Sequence, residues 1–187
     1  LRAYLQADSE RYPASAHRMM FTSNHDENSW AGTEFERMGD AAATMAALTY
    51  VLPQSLPLIY TGQEIGYDHR FAFFEKDPVP AWEPNRWTAF YTKLNALRHD
   101  NPALASGAAG GEMAYMGGAV SDLMAFTRTA GDNKVVCLFN LSARQQPVIP
   151  TVEVGGEYTD AMTGAKRTIV PGEEFALGPW EYLILVN

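Results

Sequence analysis

Residues 21–30, FTSNHDENSW, decide how this chain is to be read. The apolar run Met19-Met20-Phe21 leads directly into a cluster in which Asn24, His25, Asp26, Glu27 and Asn28 stand side by side. A core strand that ends in so many polar groups has two explanations. Loops on a rigid scaffold carry chemistry, so a catalytic or binding loop is one. A solvated turn whose Asn and Asp residues start a helix is the other.

Outward from this stretch, helix-like and apolar segments alternate. Residues 33 to 52 place Phe35, Met38, Ala42, Met45, Leu48 and Leu52 three and four apart, one face of an amphipathic helix. Thr33 followed by Glu36 fits a capping box, and Pro53 stops the helix. A second helix is expected after Pro84-Asn85, with Trp87, Phe90, Tyr91, Leu94 and Leu97 on one side and Asn101-Pro102 closing it. Between the two, LPLIYTGQE at 56–64 reads as a short buried strand. Residues 18 to 23 read as an earlier strand, and residues 1 to 12 as the end of a preceding helix. Helix, strand, helix, strand, helix is the order of parallel βα units. Two such units neither cover both faces of a sheet nor close a barrel.

The texture changes near residue 103. Glycine-rich turns at 107–111, 117–118, 155–156 and 164 separate short runs, among them DLMAFTRT at 122–129, KVVCLFNLS at 134–142 and WEYLILVN at 180–187. Their β-branched and aromatic content at regular turn spacing predicts an antiparallel β-sandwich over 104–187. A short linker joins it to the α/β part, 1–103.

Composition sets outer bounds. A chain of 187 residues that is 47% hydrophobic and 12% aromatic can bury a sizeable core. With 14 Lys+Arg against 22 Asp+Glu the net charge is -8, and no basic run occurs. That balance argues against nucleic acid and against a membrane surface as partners. No apolar run approaches the roughly 20 residues of a membrane span. The one cysteine, Cys137, sits in the run Val135-Val136-Cys137-Leu138-Phe139, which excludes an internal disulfide or cysteine metal cluster and reads as a small buried hydrophobe.

In a parallel βα unit, ligands bind at the loop after the carboxyl end of a strand. His25 and Asp26 hold that position on the first strand, and Gln63 and Glu64 hold it on the second. From pattern alone the plainer alternative stays open, with Asp26 capping backbone amides and His25 hydrogen-bonded at the surface. A metal site formed by His17 or His69 with His25 and Asp26 has no HxxxH or HExxH spacing behind it.

RMMFTSNHDENSW, residues 18–30, resembles the Asn-His-Asp region of the α-amylase family, glycoside hydrolase family 13. ALTYVLPQSLPLIYTGQEIG, 47–66, is similar to that family's following helix and eighth barrel strand. FFEKDPVPAW, 73–82, and FYTKLNALRHDNPAL, 90–104, are similar to the next loop and the last barrel helix. The strand-rich remainder matches the family's C-terminal sandwich in placement. The resemblance therefore implies the last two βα units of a (β/α)8 TIM barrel over 1–103, followed by a C-terminal antiparallel β-sandwich over 104–187.

It also implies a function, that of a retaining glycosidase on α-glucans such as starch and maltooligosaccharides. Asp26 would be the carboxylate that holds the hydroxyls of the sugar at the cleavage site and supports its distortion. His25 would donate to a neighbouring hydroxyl and Asn24 would orient the loop. Trp30 would either stack on a sugar face or cover the core, and Gln63 and Glu64 would support the site from behind. Phe21, Met45, Trp87 and Tyr182 are assigned to packing. In the family the nucleophilic aspartate, in a Gly-x-Arg-x-Asp stretch, and the acid/base glutamate precede Asn-His-Asp, and the residues before Asn24 contain no Arg-x-Asp.

The chain is thus expected to be a C-terminal piece, inactive alone, that pairs with the missing N-terminal part of the barrel or self-associates through the open edge. No cofactor is expected in this chain, and calcium only in the intact enzyme. The resemblance leans toward a secreted or periplasmic protein, while the residues themselves encode no compartment. Two other classes remain: a non-catalytic amylase-like partner or glucan-binding protein, and a self-contained hydrolase whose two carboxylates are Asp26 and Glu64.

Overall fold

The computed structural model describes residues 1–117 and 122–187, so Gly118 of the expected 117–118 turn lies outside the described residues. In the first half, helix α1 covers Arg2–Arg11, strand β1 Arg18–Met20, helix α2 Glu34–Met38, helix α3 Ala42–Val51, strand β2 Ser55–Pro57 and helix α4 Arg86–Asp100. The alternating order is the expected one. β1 and β2 pair in parallel, Arg18 opposite Ser55 and Met20 opposite Pro57. The Leu58 N–H donates to the Met20 carbonyl at 2.9 Å and carries the ladder one step further.

The single helix expected over 33–52 is two. The chain leaves helical geometry at Gly39, whose φ of 53° is easily reached only without a Cβ, and makes a 3₁₀ turn over Gly39–Ala41. The break separates two different environments. In α3, Ala42, Thr44, Ala46, Ala47, Leu48, Tyr50 and Val51 are all buried, so the helix is apolar nearly all round and sits inside. The shorter α2 carries Glu34, Glu36 and Arg37 to polar partners in neighbouring loops. Its capping box is as expected, with the Glu36 N–H donating to Thr33 Oγ1 at 3.2 Å and the Thr33 N–H donating to the Glu36 carboxylate at 2.9 Å.

The segment 56–64 is also corrected. Its strand is only three residues long, and Leu56 is 47% exposed. Among the described residues β2 has one strand neighbour, so no second ladder extends or covers it. Met19 on β1 and Phe21 just beyond it are likewise exposed, against the packing role expected of Phe21. Helix α4 starts where expected, with Asn85 Oδ1 accepting from the Trp87 N–H at 2.8 Å, and it buries Tyr91, Leu94 and Leu97. Trp87 lies so close to Gly66 that a Cβ there would come within 2.1 Å of the indole.

The second half is antiparallel throughout. Strands β3 (Glu112–Tyr115), β4 (Leu123–Ala130), β5 (Asn133–Asn140), β6 (Gln146–Val148), β7 (Gly156–Asp160), β8 (Lys166–Ile169), β9 (Phe175–Leu177) and β10 (Tyr182–Val186) follow in sequence. Six of them form one sheet in the order β3-β4-β5-β10-β7-β8, and β6 pairs with β9 as a small second sheet. The layers are unequal, and the sheet's two faces meet different partners. Val136, Leu138 and Leu185 pack with Val148, Phe175 and Leu177 of the small sheet. Phe126, Cys137, Phe139 and Ile184 pack in the same core as Leu48, Val51 and Leu94 of the helices. Burial on both faces explains why the VVCLF run is apolar at every position instead of alternating. Burial also pushes the Cys137 thiol up, away from reactivity.

Two arginines meet the end of α3, where four helix carbonyls lack helical partners, and one of them, Arg128, joins the halves. Arg98 donates to the Tyr50 carbonyl at 3.0 Å and also to that of Ser55. Arg128, fully buried on β4, donates to the carbonyls of Val51 at 2.8 Å, Gly111 at 3.1 Å and Ala105 at 3.3 Å. Its burial lowers the guanidinium to about 10. Cationic groups at a helix C-terminus also oppose the negative end of the helix dipole. No helix among the described residues is long and apolar enough to cross a membrane.

Candidate active site

The loop leaving β1 is built by its own short polar residues. Asn24 Oδ1 accepts from the Glu27 N–H at 2.8 Å, and the Asn28 N–H donates to the Asn24 carbonyl at 2.9 Å. A π-helical turn over Glu27–Ala31 follows. Asn24 thus does the capping that the plainer alternative gave to Asp26, whose side chain makes no cap hydrogen bond. His25 and Asp26 project from the turn with side chains 68% and 61% exposed, His25 Nε2 lying 3.5 Å from Asp26 Oδ2.

Arg37 holds this loop from below at three points. It donates to the carbonyl of Thr22 where the loop begins, to that of Gly32 where it ends, at 3.0 Å, and to the Glu27 carboxylate between them, at 3.0 Å. Asn28, which is buried, ties the loop to the one that follows β2. Its amide donates to the His69 carbonyl at 3.0 Å, and its Oδ1 accepts from the Phe71 N–H at 2.8 Å. The second loop is closed on itself by Asp77, which accepts from the Ala72 N–H at 2.8 Å and lies 2.8 Å from His69 Nε2. Those two contacts, the Ala72 amide first, hold the Asp77 carboxyl below the usual carboxylate range.

Behind the loops sits a buried polar layer. Gln63 accepts from the Tyr60 N–H at 2.7 Å and donates to Thr22 Oγ1 at 2.9 Å, which links the ends of both strands. Glu34 is buried beside it. Burial raises its carboxyl above the ordinary value, against the opposing pull of its own backbone N–H and of Gln63. Glu64 faces inward, and its Oε2 is buried without a hydrogen-bond partner in the structure. Its carbonyl accepts from the Thr88 hydroxyl at 2.8 Å, which anchors the turn to α4.

Trp30 does not cover the core. It is exposed, with its ring centroid 5.2 Å from that of Phe73 and 6.5 Å from that of Phe74, while the His25 ring is 5.9 Å from Phe73. His17 lies 2.8 Å from Ser106 Oγ, and His69 is taken up by Asp77, so neither joins His25 and Asp26. Sequence reasoning did not single out Arg37, Glu34, Phe73 and Phe74. The adjacent phenylalanines ahead of Glu75-Lys76-Asp77 were the visible sign, since two large apolar residues rarely open a charged loop without a purpose. A groove of about 570 Å³ is lined by Phe35, Asp40, Arg86, Trp87 and Phe90 and includes no residue of the loop after β1.

No family model matches the chain, and no curated protein matches it in sequence. Its fold does have counterparts among solved structures. All of the chain is similar to 45% of a noncanonic maltogenic alpha-amylase, AmyB, from Thermotoga neapolitana, with a TM-score of 0.79 at 18% identity. All of it is similar to 40% of CldA, a cyclomaltodextrin glucanotransferase, with a TM-score of 0.76 at 16% identity. A third counterpart is AmyP, solved in complex with maltose, where 97% of this chain matches 43% of that one, with a TM-score of 0.64 at 19% identity. The chain spans less than half the length of these proteins. At such identities the likeness establishes the fold, which is that of C-terminal regions of alpha-amylases.

Proposed function

We propose that this chain is the C-terminal part of an α-amylase-like retaining glycosidase, of glycoside hydrolase family 13, acting on α-glucans such as starch and maltooligosaccharides. In this reading β1 and β2 are the last two strands of a (β/α)8 barrel, residues 1–103 are its C-terminal portion, and 104–187 form the terminal β-domain. One observation carries it: in a fold matching amylases along its whole length, Asn24-His25-Asp26 lies in the loop that leaves a strand of a parallel pair, with the Asp26 carboxylate turned outward and not used as a cap.

Asp26 is then the carboxylate that stabilises the transition state. A fixed carboxylate accepts hydrogen bonds from two sugar hydroxyls, and these strengthen as the ring gains oxocarbenium character. His25, 3.5 Å away, donates to a neighbouring hydroxyl, and Trp30 offers a face for stacking. Asn24 keeps the loop in shape, Gln63 joins the two strand ends, and the inward-facing Glu64 supports the turn from behind. The nucleophile and the acid/base come from residues outside 1–187. The segment that carries them docks on the open side of β1, where Leu1, Tyr4, Met19 and Phe21 line an apolar groove of about 260 Å³. The maltose in AmyP supports a glucan as the ligand.

The self-contained pair of Asp26 and Glu64 fits the site less well, because the Glu64 carboxyl oxygen points into the protein while Asp26 points out. The test is release of reducing ends from a maltooligosaccharide by the purified chain, alone and then with the preceding barrel segment added in trans. No turnover alone, and turnover on complementation that disappears in Asp26→Asn, is the expected result. Turnover by the chain alone, lost in Glu64→Gln, establishes the self-contained pair instead. Binding without turnover after complementation establishes a glucan-binding partner.

A further inference from the structure

We infer that Arg37 is a positioning residue of the proposed reaction: it clamps both ends of the loop that carries Asp26, and through that loop sets how well the carboxylate meets the transition state. The inference rests on the glucan reading above. The Asp26 side chain caps nothing and projects outward beside that of His25. Its position is therefore set by the backbone that carries it.

The guanidinium meets that backbone where the loop begins and ends. Nη2 donates to the Thr22 carbonyl at the exit from β1, and Nε donates to the Gly32 carbonyl at the entry to α2, at 3.0 Å. Nη1 donates to the carboxylate of Glu27, the residue after Asp26, at 3.0 Å. One planar group thus fixes the distance between the two ends, which the single nitrogen of a lysine cannot span. Both ends are anchored in turn. Gln63 Nε2 donates to Thr22 Oγ1 at 2.9 Å, and the Arg37 N–H donates to the Thr33 carbonyl at 3.1 Å. Glu36 steadies α2 itself, accepting from Arg70 Nε at 2.6 Å and from the Thr33 N–H at 2.9 Å. The Glu27 contact has a second effect, because it occupies that carboxylate while Asp26 stays available to sugar hydroxyls.

An arginine that serves the fold alone looks different. Arg98 and Arg128 satisfy carbonyls at the end of α3, and neither touches the loop after β1. The acceptors of Arg37 are instead the two ends of one loop and a carboxylate between them. Hydrogen bonds to Asp26 strengthen as the sugar ring gains oxocarbenium character, so a displaced carboxylate weakens the transition state more than the bound ground state. A displacement of about 1 Å is enough to cost about 100-fold in rate.

The test measures kcat, KM and melting temperature on a maltooligosaccharide with a chromogenic leaving group, using the chain complemented with the preceding barrel segment. The variants are Arg37→Ala, Arg37→Lys, the control Arg98→Met, and Arg37→Ala and Arg37→Lys each combined with Asp26→Asn. Arg37→Ala is expected to lower kcat about 100-fold with a much smaller change in KM, and Arg37→Lys to fall between it and wild type. Arg98→Met should lower the melting temperature and leave kcat unchanged. In the Asp26→Asn background the Arg37 variants should lower the rate little further, because the carboxylate they act through is already gone. Should Arg37→Ala fail to fold, the two Arg37→Lys proteins carry the same comparison. Near-normal kcat in the Arg37 variants, or the same fold-loss in both backgrounds, assigns Arg37 to the fold alone and leaves the glucan reading standing. A complemented wild type without turnover overturns that reading and the positioning role with it.

Discussion

The N–H of Phe71 donates to the side-chain oxygen of Asn28, 43 residues earlier, at 2.8 Å. Through this bond and its companion to the His69 carbonyl, the loop that carries His25 and Asp26 is tied to the loop that carries Phe73 and Phe74. A buried amide that satisfies a donor and an acceptor on another loop sets geometry more than it adds net stability.

Asn28→Ala leaves one N–H and one carbonyl without their partner, and should cost about 1–3 kcal/mol. The effect should be local as well. Amide exchange at Phe71 and Ala72 should speed up while α3 and the six-stranded sheet stay protected. A Phe71 amide still slow to exchange in the variant would contradict the role given to Asn28.

In the intact enzyme, Asp26→Asn should lower kcat by several orders of magnitude with a smaller change in KM, because the lost interaction strengthens only in the transition state. Since Asp26 is exposed and caps nothing, the thermal midpoint should not move. Initial rates and a melting curve on the same sample check both halves of the statement. A variant with near-normal turnover ends the assignment.

Arg128→Met keeps the length of the side chain but removes the donors to Val51, Ala105 and Gly111. The Val51 acceptor is buried and the other two are part-buried, so the loss should be about 1–3 kcal/mol, mainly from the carbonyl of Val51 left unpaired. Urea unfolding should show a lower midpoint with an unchanged slope. A shift of the midpoint smaller than that of a surface Arg→Met control would show that water replaces the guanidinium.

Residues 104–187 expressed alone should self-associate, because a cut at 103 uncovers Phe126, Cys137, Phe139 and Ile184, which pack in one core with α3 and α4. Size-exclusion chromatography at several concentrations decides it. A monomer that melts cooperatively would mean the sheet recovers a cover of its own.

Glu34 makes stability depend on pH. Its folded carboxyl lies above the ordinary 4.5, mainly through burial. A raised carboxyl pKa favours the folded state while the group is protonated, and that advantage is lost as pH rises from 4.5 through the folded value. The wild type should therefore lose stability relative to Glu34→Gln between about pH 4 and about pH 8. Urea midpoints of both proteins at the two pH values test the sign, and a constant difference would refute it.

What the sequence settled by itself is local. The Thr33–Glu36 box, the Asn85 cap, the Tyr91–Leu94–Leu97 face of α4 and the strands β4, β5 and β10 all depend on residues within a few positions of one another, so their spacing is enough to read them. The Asn-His-Asp cluster at a strand end was legible for the same reason. Asp26 was legible as a candidate cap of backbone amides, but not that Asn24 takes that role. That depended on how the turn closed, and only the folded chain shows Asn24 capping and Asp26 free of that role. The helix break at Gly39, the exposure of Trp30, its meeting with Phe73 and Phe74, the Asn28 tie and the burial of Arg128 against Val51 were equally out of reach. Each depends on what lies opposite after the chain has crossed itself, and burial and long-range hydrogen bonding belong to that arrangement and not to any window of residues.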